Sequence, residues 1–125
     1  MLKTSKLNLE RIIIFASLKF HAMNQQIFQE IQTLKRQILP NEKVILFGSQ
    51  ARGDARPDSD WDLLLILNSN STNLDDEIKY SYPFTKLGWT YNTDFNVLLY
   101  SKNDWEKRNF MPFYKNVVNE GIEIN

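Results

Sequence analysis

Residues 44–67 read VILFGSQARGDARPDSDWDLLLIL, and the fold turns on how that stretch is parsed. It opens with an apolar run, Val44–Phe47, and breaks at Gly48–Ser49. A polar loop punctuated by glycine and proline follows. A second apolar run, Leu63–Leu67, then carries Asp60 and Asp62 at its entrance. Apolar runs this short, bounded by turn residues, read as strands buried on both faces. Along an extended strand, side chains two apart share a side, so Asp60 and Asp62 project together while Trp61 and Leu63 face the other way. Two carboxylates held that close repel each other unless a cation lies between them. A ligand set made only of oxygens selects a hard ion such as Mg²⁺, which keeps some waters and completes its shell with substrate phosphates. The break at Gly48–Ser49 is where such phosphates would sit: glycine permits close backbone approach, and the amides and hydroxyl at Ser49 can donate.

The same residues resemble the signature of the polymerase-β-type nucleotidyltransferase superfamily: a Gly-Ser pair, an Ala-Arg-Gly, then Ser-Asp-x-Asp-Leu. Here these are Gly48–Ser49, Ala51–Arg52–Gly53 and Ser59–Asp60–Trp61–Asp62–Leu63. The match is to the short minimal nucleotidyltransferases and spans most of the chain from about Met23. The resemblance implies an α+β fold, a small mixed β-sheet with helices packed mainly on one face. Trp61 departs mildly from the pattern, which usually has an aliphatic residue there. Pointing away from the acids, it is expected to alter packing and not chemistry.

Composition limits the alternatives. A chain of 125 residues suits one domain. Fifteen basic residues balance fifteen acidic ones, so no net positive field holds an extended nucleic acid. The absence of cysteine excludes disulfides, thiolate metal sites and a cysteine nucleophile, and is compatible with a reducing cytoplasm. No apolar run reaches the length of a membrane-spanning helix. Asp58, Asp60 and Asp62 mimic the first ligands of an EF-hand, but Leu63 stands where that loop needs glycine and Ser69 where it needs glutamate. With one histidine, His21, outside the motif, no Ser-His-Asp set is credible.

Residues 1–22 are read as an N-terminal extension, loosely helical, with Met23 as the natural start and residues 23–125 as the nucleotidyltransferase domain. Lys3, Lys6 and Arg11 ahead of Ile12–Leu18 faintly suggest a signal peptide, but the apolar core is short and no small-residue cleavage site follows. Apolar residues at Ile27, Phe28, Ile31, Leu34, Ile38 and Leu39 predict a helix over 24–39, with Asn24 as N-cap and Pro40 as stop. Strands are expected at 43–47 and 61–67, with a short helix near Ser49–Arg52 between them. Arg52 and Arg56 would contact phosphate or pair with Asp54 and Asp58. Asn73 or Thr72 caps a helix from Leu74, whose first-turn acids suit its dipole. Pro83 is expected to kink or end it, with Gly88 at the exit. A third strand is expected over 90–100, with Tyr91, Thr93, Phe95, Val97 and Leu99 on one face and Asn92, Asp94, Asn96 and Leu98 on the other. An acid inside an apolar strand is costly to bury alone, which marks Asp94. Ser101 or Asn103 caps a short helix through Asn109, and Pro112 opens a last helix that Gly121 stops.

In the resembled superfamily a third carboxylate comes from the strand beside the Asp-x-Asp strand, and Asp94 occupies that place. The resemblance therefore implies two Mg²⁺ ions held by Asp60, Asp62 and Asp94, with Asp94 also the nearest general base. It implies nucleotide binding by Gly48, Ser49, Arg52 and Ser59, with ATP as substrate. Larger members append a domain for the acceptor and this chain has no room for one, so the acceptor is expected on another protein or a second copy, in a homo- or hetero-oligomer. Short members are similar to the antitoxin halves of two-gene modules with a helical HEPN ribonuclease, which implies transfer of AMP to a tyrosine of that toxin in the cytoplasm. Two other readings compete: a non-catalytic antitoxin that acts by binding, and an antibiotic-type enzyme that modifies a small molecule.

Overall fold

The computed structural model describes the backbone of residues 2–125 and the side chains from residue 8 onward. Its centre is a four-stranded mixed sheet that runs, edge to edge, Phe95–Ser101, Trp61–Leu67, Lys43–Phe47 and Ile122–Glu123. Strands β1 (Lys43–Phe47) and β2 (Trp61–Leu67) fall where the apolar runs place them and pair antiparallel, with Val44 opposite Leu65 and Phe47 opposite Asp62. Strand β3 (Phe95–Ser101) runs parallel to β2, and a two-residue β4 (Ile122–Glu123) adds to the other side of β1. β4 is too short to carry a periodic signal, so the sequence does not announce it.

One face of the sheet is covered by α1 (Leu2–Ile38) and α4 (Tyr82–Thr90), which close over Leu63, Leu65, Trp61 and Phe95. Ile27, Ile31 and Phe84 are fully buried there. Phe84 sits at the middle of this layer, and Phe84→Ala is expected to destabilise the fold by about 3–5 kcal/mol, read from denaturant unfolding. On the other face the short helices α5 (Lys102–Lys107) and α6 (Pro112–Glu120) bring Trp105 and Val117 onto Leu64 and Ile66. Trp105 packs edge-on against Phe113 and close to Tyr114. Phe110 and Val118 of the same tail remain exposed.

Three boundaries differ from the sequence reading, each for a local reason. The helix expected over 24–39 is the C-terminal half of α1, which continues unbroken from Leu2. Asn24 is therefore interior and caps nothing, because no glycine or proline interrupts residues 2–38. Ahead of Phe20 the helix runs free of the domain: Leu9, Ile12, Ile13, Ile14, Phe15 and Leu18 are 58–63% exposed. Lys3 and Lys6, which the signal-peptide reading used, lie outside the described side chains.

Second, Pro83 neither ends nor breaks its helix. From Leu74 to Thr90 the chain stays helical through α3 (Leu74–Asp76), a π-helical turn (Glu77–Ser81) and α4. The wide turn, with Tyr82 N–H donating to the Glu77 carbonyl, delivers Pro83 to the first turn of α4, where a missing N–H matters least. Asn73 caps the whole stretch, its side chain accepting from Asp76 N–H while Asp76 returns the bond to Asn73 N–H. Gly88 is buried inside the last turn, where a Cβ would meet Thr93 O at 2.7 Å and Phe95 Cδ1 at 2.8 Å.

Third, β3 begins at Phe95, because α4 extends to Thr90 and Asn92, at φ 52°, makes a left-handed turn before the strand. Asp94 thus precedes the strand. It is exposed and β3 is an edge strand, so the argument from a buried acid does not apply to it. Within the strand the faces divide as expected, with Phe95, Val97 and Leu99 turned to the α1 side.

Candidate active site

The antiparallel register ends with Phe47 opposite Asp62, so the chain leaves β1 beside that carboxylate. It leaves through Gly48 at φ 75°, ψ −156°, a conformation reserved in practice for glycine. A Cβ on Gly48 would collide with Asp62 Oδ2. The glycine therefore does two things at once: it makes the sharp exit and it leaves the volume that the carboxylate fills. The second role is invisible in the sequence, because it depends on which residue of β2 stands opposite the strand end.

Helix α2 (Ser49–Arg52) follows immediately, and its first internal bonds run from Ala51 and Arg52 N–H to the Gly48 carbonyl. The amides of Ser49 and Gln50 precede those bonds, as at any helix start. Gly48, Ser49, Arg52 and Asp62 line one side of a cleft of about 400 Å³, with Phe113 and Asn116 of α6 on the other. Arg52 braces this cleft. Its Nε donates to Asp54 Oδ2 at 3.3 Å and its Nη1 to Glu120 Oε2 at 3.4 Å, tying α2 to the end of α6. The hydrogen bond to Asp54, then the one to Glu120, pushes the guanidinium pKa up from its ordinary value. Ser59 lies outside the cleft lining; its Oγ accepts from Arg56 N–H at 2.7 Å, and its carbonyl accepts from Gln50 Nε2 at 3.4 Å. It shapes the loop that leads into Asp60.

The parallel pairing of β2 with β3 sets Asn96 opposite Asp62. Asn96 Nδ2 donates to Asp62 Oδ1 at 2.9 Å and to Asp60 Oδ2 at 3.2 Å. Both carboxylates thus converge on one point, occupied by an amide nitrogen. Asp94, two residues earlier, accepts Trp61 N–H with its backbone carbonyl at 3.0 Å. Among the described residues no three Asp, Glu, His or Cys side chains come together as a cation cage, so the structure unites Asp60, Asp62 and Asn96 and leaves the Asp94 carboxylate outside. Alternation along the strand puts Asn96 on the right face, but the resemblance implies an acid as the third group and so does not single it out.

The donor set fits a hard divalent ion. Two oxygen ligand groups already face a single hydrogen-bond donor, and the site is open, as suits an ion that keeps waters and takes phosphate oxygens. A larger cleft of about 620 Å³ opens on the α1 side of the sheet, lined by His21, Phe28, Leu46, Gln50 and Trp61 among others, with no lysine, arginine or carboxylate. It has neither the carboxylate pair for a cation nor an arginine or lysine for a triphosphate.

The profile of the nucleotidyltransferase domain family matches residues 25–122. Two proteins of Methanocaldococcus jannaschii, each named "Putative protein adenylyltransferase", are similar in sequence. One is 32% identical over 64% of this chain and 74% of its own length; the other is 30% identical over 77% and 89%. Among solved structures, a "toxin-antitoxin with AMP-PNP" superposes with a TM-score of 0.58 at 19% identity, covering 78% of this chain and 72% of that one. The match over nearly the whole sheet, with the Asp-x-Asp pair and the glycine exit inside it, settles the family: this chain belongs to the nucleotidyltransferase-domain proteins.

Proposed function

We propose that this nucleotidyltransferase moves AMP from ATP to a hydroxyl of a partner protein, as the antitoxin of a pair whose toxin is a HEPN-type ribonuclease. The observation that carries the chemistry is the convergence of Asp60 and Asp62 beside the Gly48 exit. Protein adenylyltransferase names among the relatives support the reaction type, and a toxin–antitoxin neighbour holding an ATP analogue supports the setting.

Asp60 and Asp62 would hold Mg²⁺, which when bound neutralises triphosphate charge and acidifies the acceptor hydroxyl. Ser49 would grip the β- and γ-phosphates through its amide and hydroxyl, and Arg52, at the cleft wall, would face the same anion. The acceptor oxygen forms its bond to the α-phosphorus as the bond to the bridging oxygen breaks, and pyrophosphate carries away that electron pair. Asp94, exposed on the residue before β3, is the proposed recipient of the hydroxyl proton, directly or through water. The acceptor's own binding surface would come from the partner.

Incubation of the protein with Mg²⁺, α-labelled ATP and the purified product of the adjacent gene separates the readings. Label fixed on that product, on tyrosine, is the expected result. A stable unlabelled complex would establish neutralisation by binding alone, and labelled small molecules in an added extract would establish an antibiotic-type activity.

A further inference from the structure

Asn96 is the one uncharged side chain between the two motif acids, and its place there has consequences for cation binding. Two carboxylates on the same side of a strand repel, and the repulsion grows as water is excluded. Here a single amide nitrogen donates to both, at 2.9 and 3.2 Å, from the opposing position of the neighbouring strand. The register fixes it: β3 is parallel to β2, and Asn96 shares the solvent-facing side with exposed Leu98 while Phe95, Val97 and Leu99 hold the strand to the core. Asn96 is therefore anchored by its strand, and only its amide is free to turn. The torsion that turns an asparagine amide is broad, and the group carries an oxygen on its other arm.

We propose that Asn96 is a positioning residue that works in two settings. Without a cation, its Nδ2 draws the Asp60 and Asp62 carboxylates together and keeps the site assembled. With a divalent cation present, the amide turns and offers Oδ1, so the ion meets two negative charges and one neutral oxygen. A site of this kind stays formed when empty and binds its ion more weakly than a set of three carboxylates would. This inference rests on the proposal that Asp60 and Asp62 hold Mg²⁺.

The test uses the full chain without nucleotide or partner. Mn²⁺ and Mg²⁺ titrations by calorimetry, and thermal unfolding in EDTA, are compared for the wild type, Asn96→Asp and Asn96→Ala. Asn96→Asp is expected to bind Mn²⁺ about tenfold more tightly, since a third charge faces the ion, and to unfold about 3 °C earlier in EDTA, where three acids meet unshielded. Asn96→Ala is expected to unfold earlier in EDTA as well, but to bind Mn²⁺ several-fold more weakly. Wild-type-like affinity in Asn96→Asp, or wild-type-like unfolding of Asn96→Ala in EDTA, would overturn the proposal. If the wild type bound no divalent ion at all, the metal reading of Asp60 and Asp62 would fall. The EDTA comparison would still report whether Asn96 holds the pair. Absence of AMP transfer to a partner, by contrast, leaves all of these readouts unaffected.

Discussion

Asp62→Asn is expected to remove AMP transfer, by about a thousandfold or more, while leaving the fold intact. Asp62 is half-buried at the end of the β1–β2 ladder, with one oxygen against Gly48 and the other receiving Asn96 Nδ2. An asparagine there keeps the shape and can keep the bond through its own Oδ1. What disappears is the charge, which the proposed triphosphate-bound cation would need and the fold does not. Relief of repulsion with Asp60 should leave the unfolding temperature unchanged or slightly higher. The checks are label transfer from α-labelled ATP and a thermal melt on the same preparation. An inactive variant that also melts far below the wild type would show that the carboxylate is structural instead.

The second large effect is expected at Gly48. Gly48→Ala places a methyl on Asp62 Oδ2 and forces alanine into φ 75°, ψ −156°. The backbone alone costs about 1–3 kcal/mol. Displacement of Asp62 by about 1 Å is expected to lower the transfer rate about a hundredfold. The collision and the backbone strain can be separated. In a cycle with Asp62→Ala, the double variant should recover the stability lost to the collision and keep the loss due to φ. Purely additive unfolding free energies would mean that Gly48 matters only for its backbone.

Sequence alone carried the reading far wherever a local rule decided the outcome. β1 and β2 are short apolar runs between turn residues, and nothing in the tertiary structure opposes them. The caps at Asn73 and Ser101, and the proline opening α6, act within one helical turn of themselves. The misses share a different character. Asn24 has the right chemistry for a cap but sits in a run of good helix formers that continues through it. Pro83 is a breaker by rule, yet a π-helical turn ahead of it carries it into an N-terminal first turn. Alternation persists through Tyr91 and Thr93 and so predicts an early start for β3, although those residues belong to the helix end and its turn.

The site divides in the same way. Asp60, Asp62 and the Gly48 break are one contiguous motif and can be read from spacing. Asn96 is 34 residues beyond Asp62 and reaches it only through strand register. Sequence pattern could say that residue 96 shares a face with residue 94. It could not say which of them stands opposite Asp62, and that two-residue difference in register decides whether an amide or a third carboxylate meets the pair.

The central claim is that the cleft beside Gly48, and no other, takes the nucleotide. A crystal structure of the protein with Mg²⁺ and a non-hydrolysable ATP analogue tests it most directly. The account predicts a cation bound by carboxylate oxygens of Asp60 and Asp62, with the triphosphate lying against Ser49. A nucleotide seated instead beside Phe28 and Trp61, with the two acids still joined only by Asn96, would contradict it.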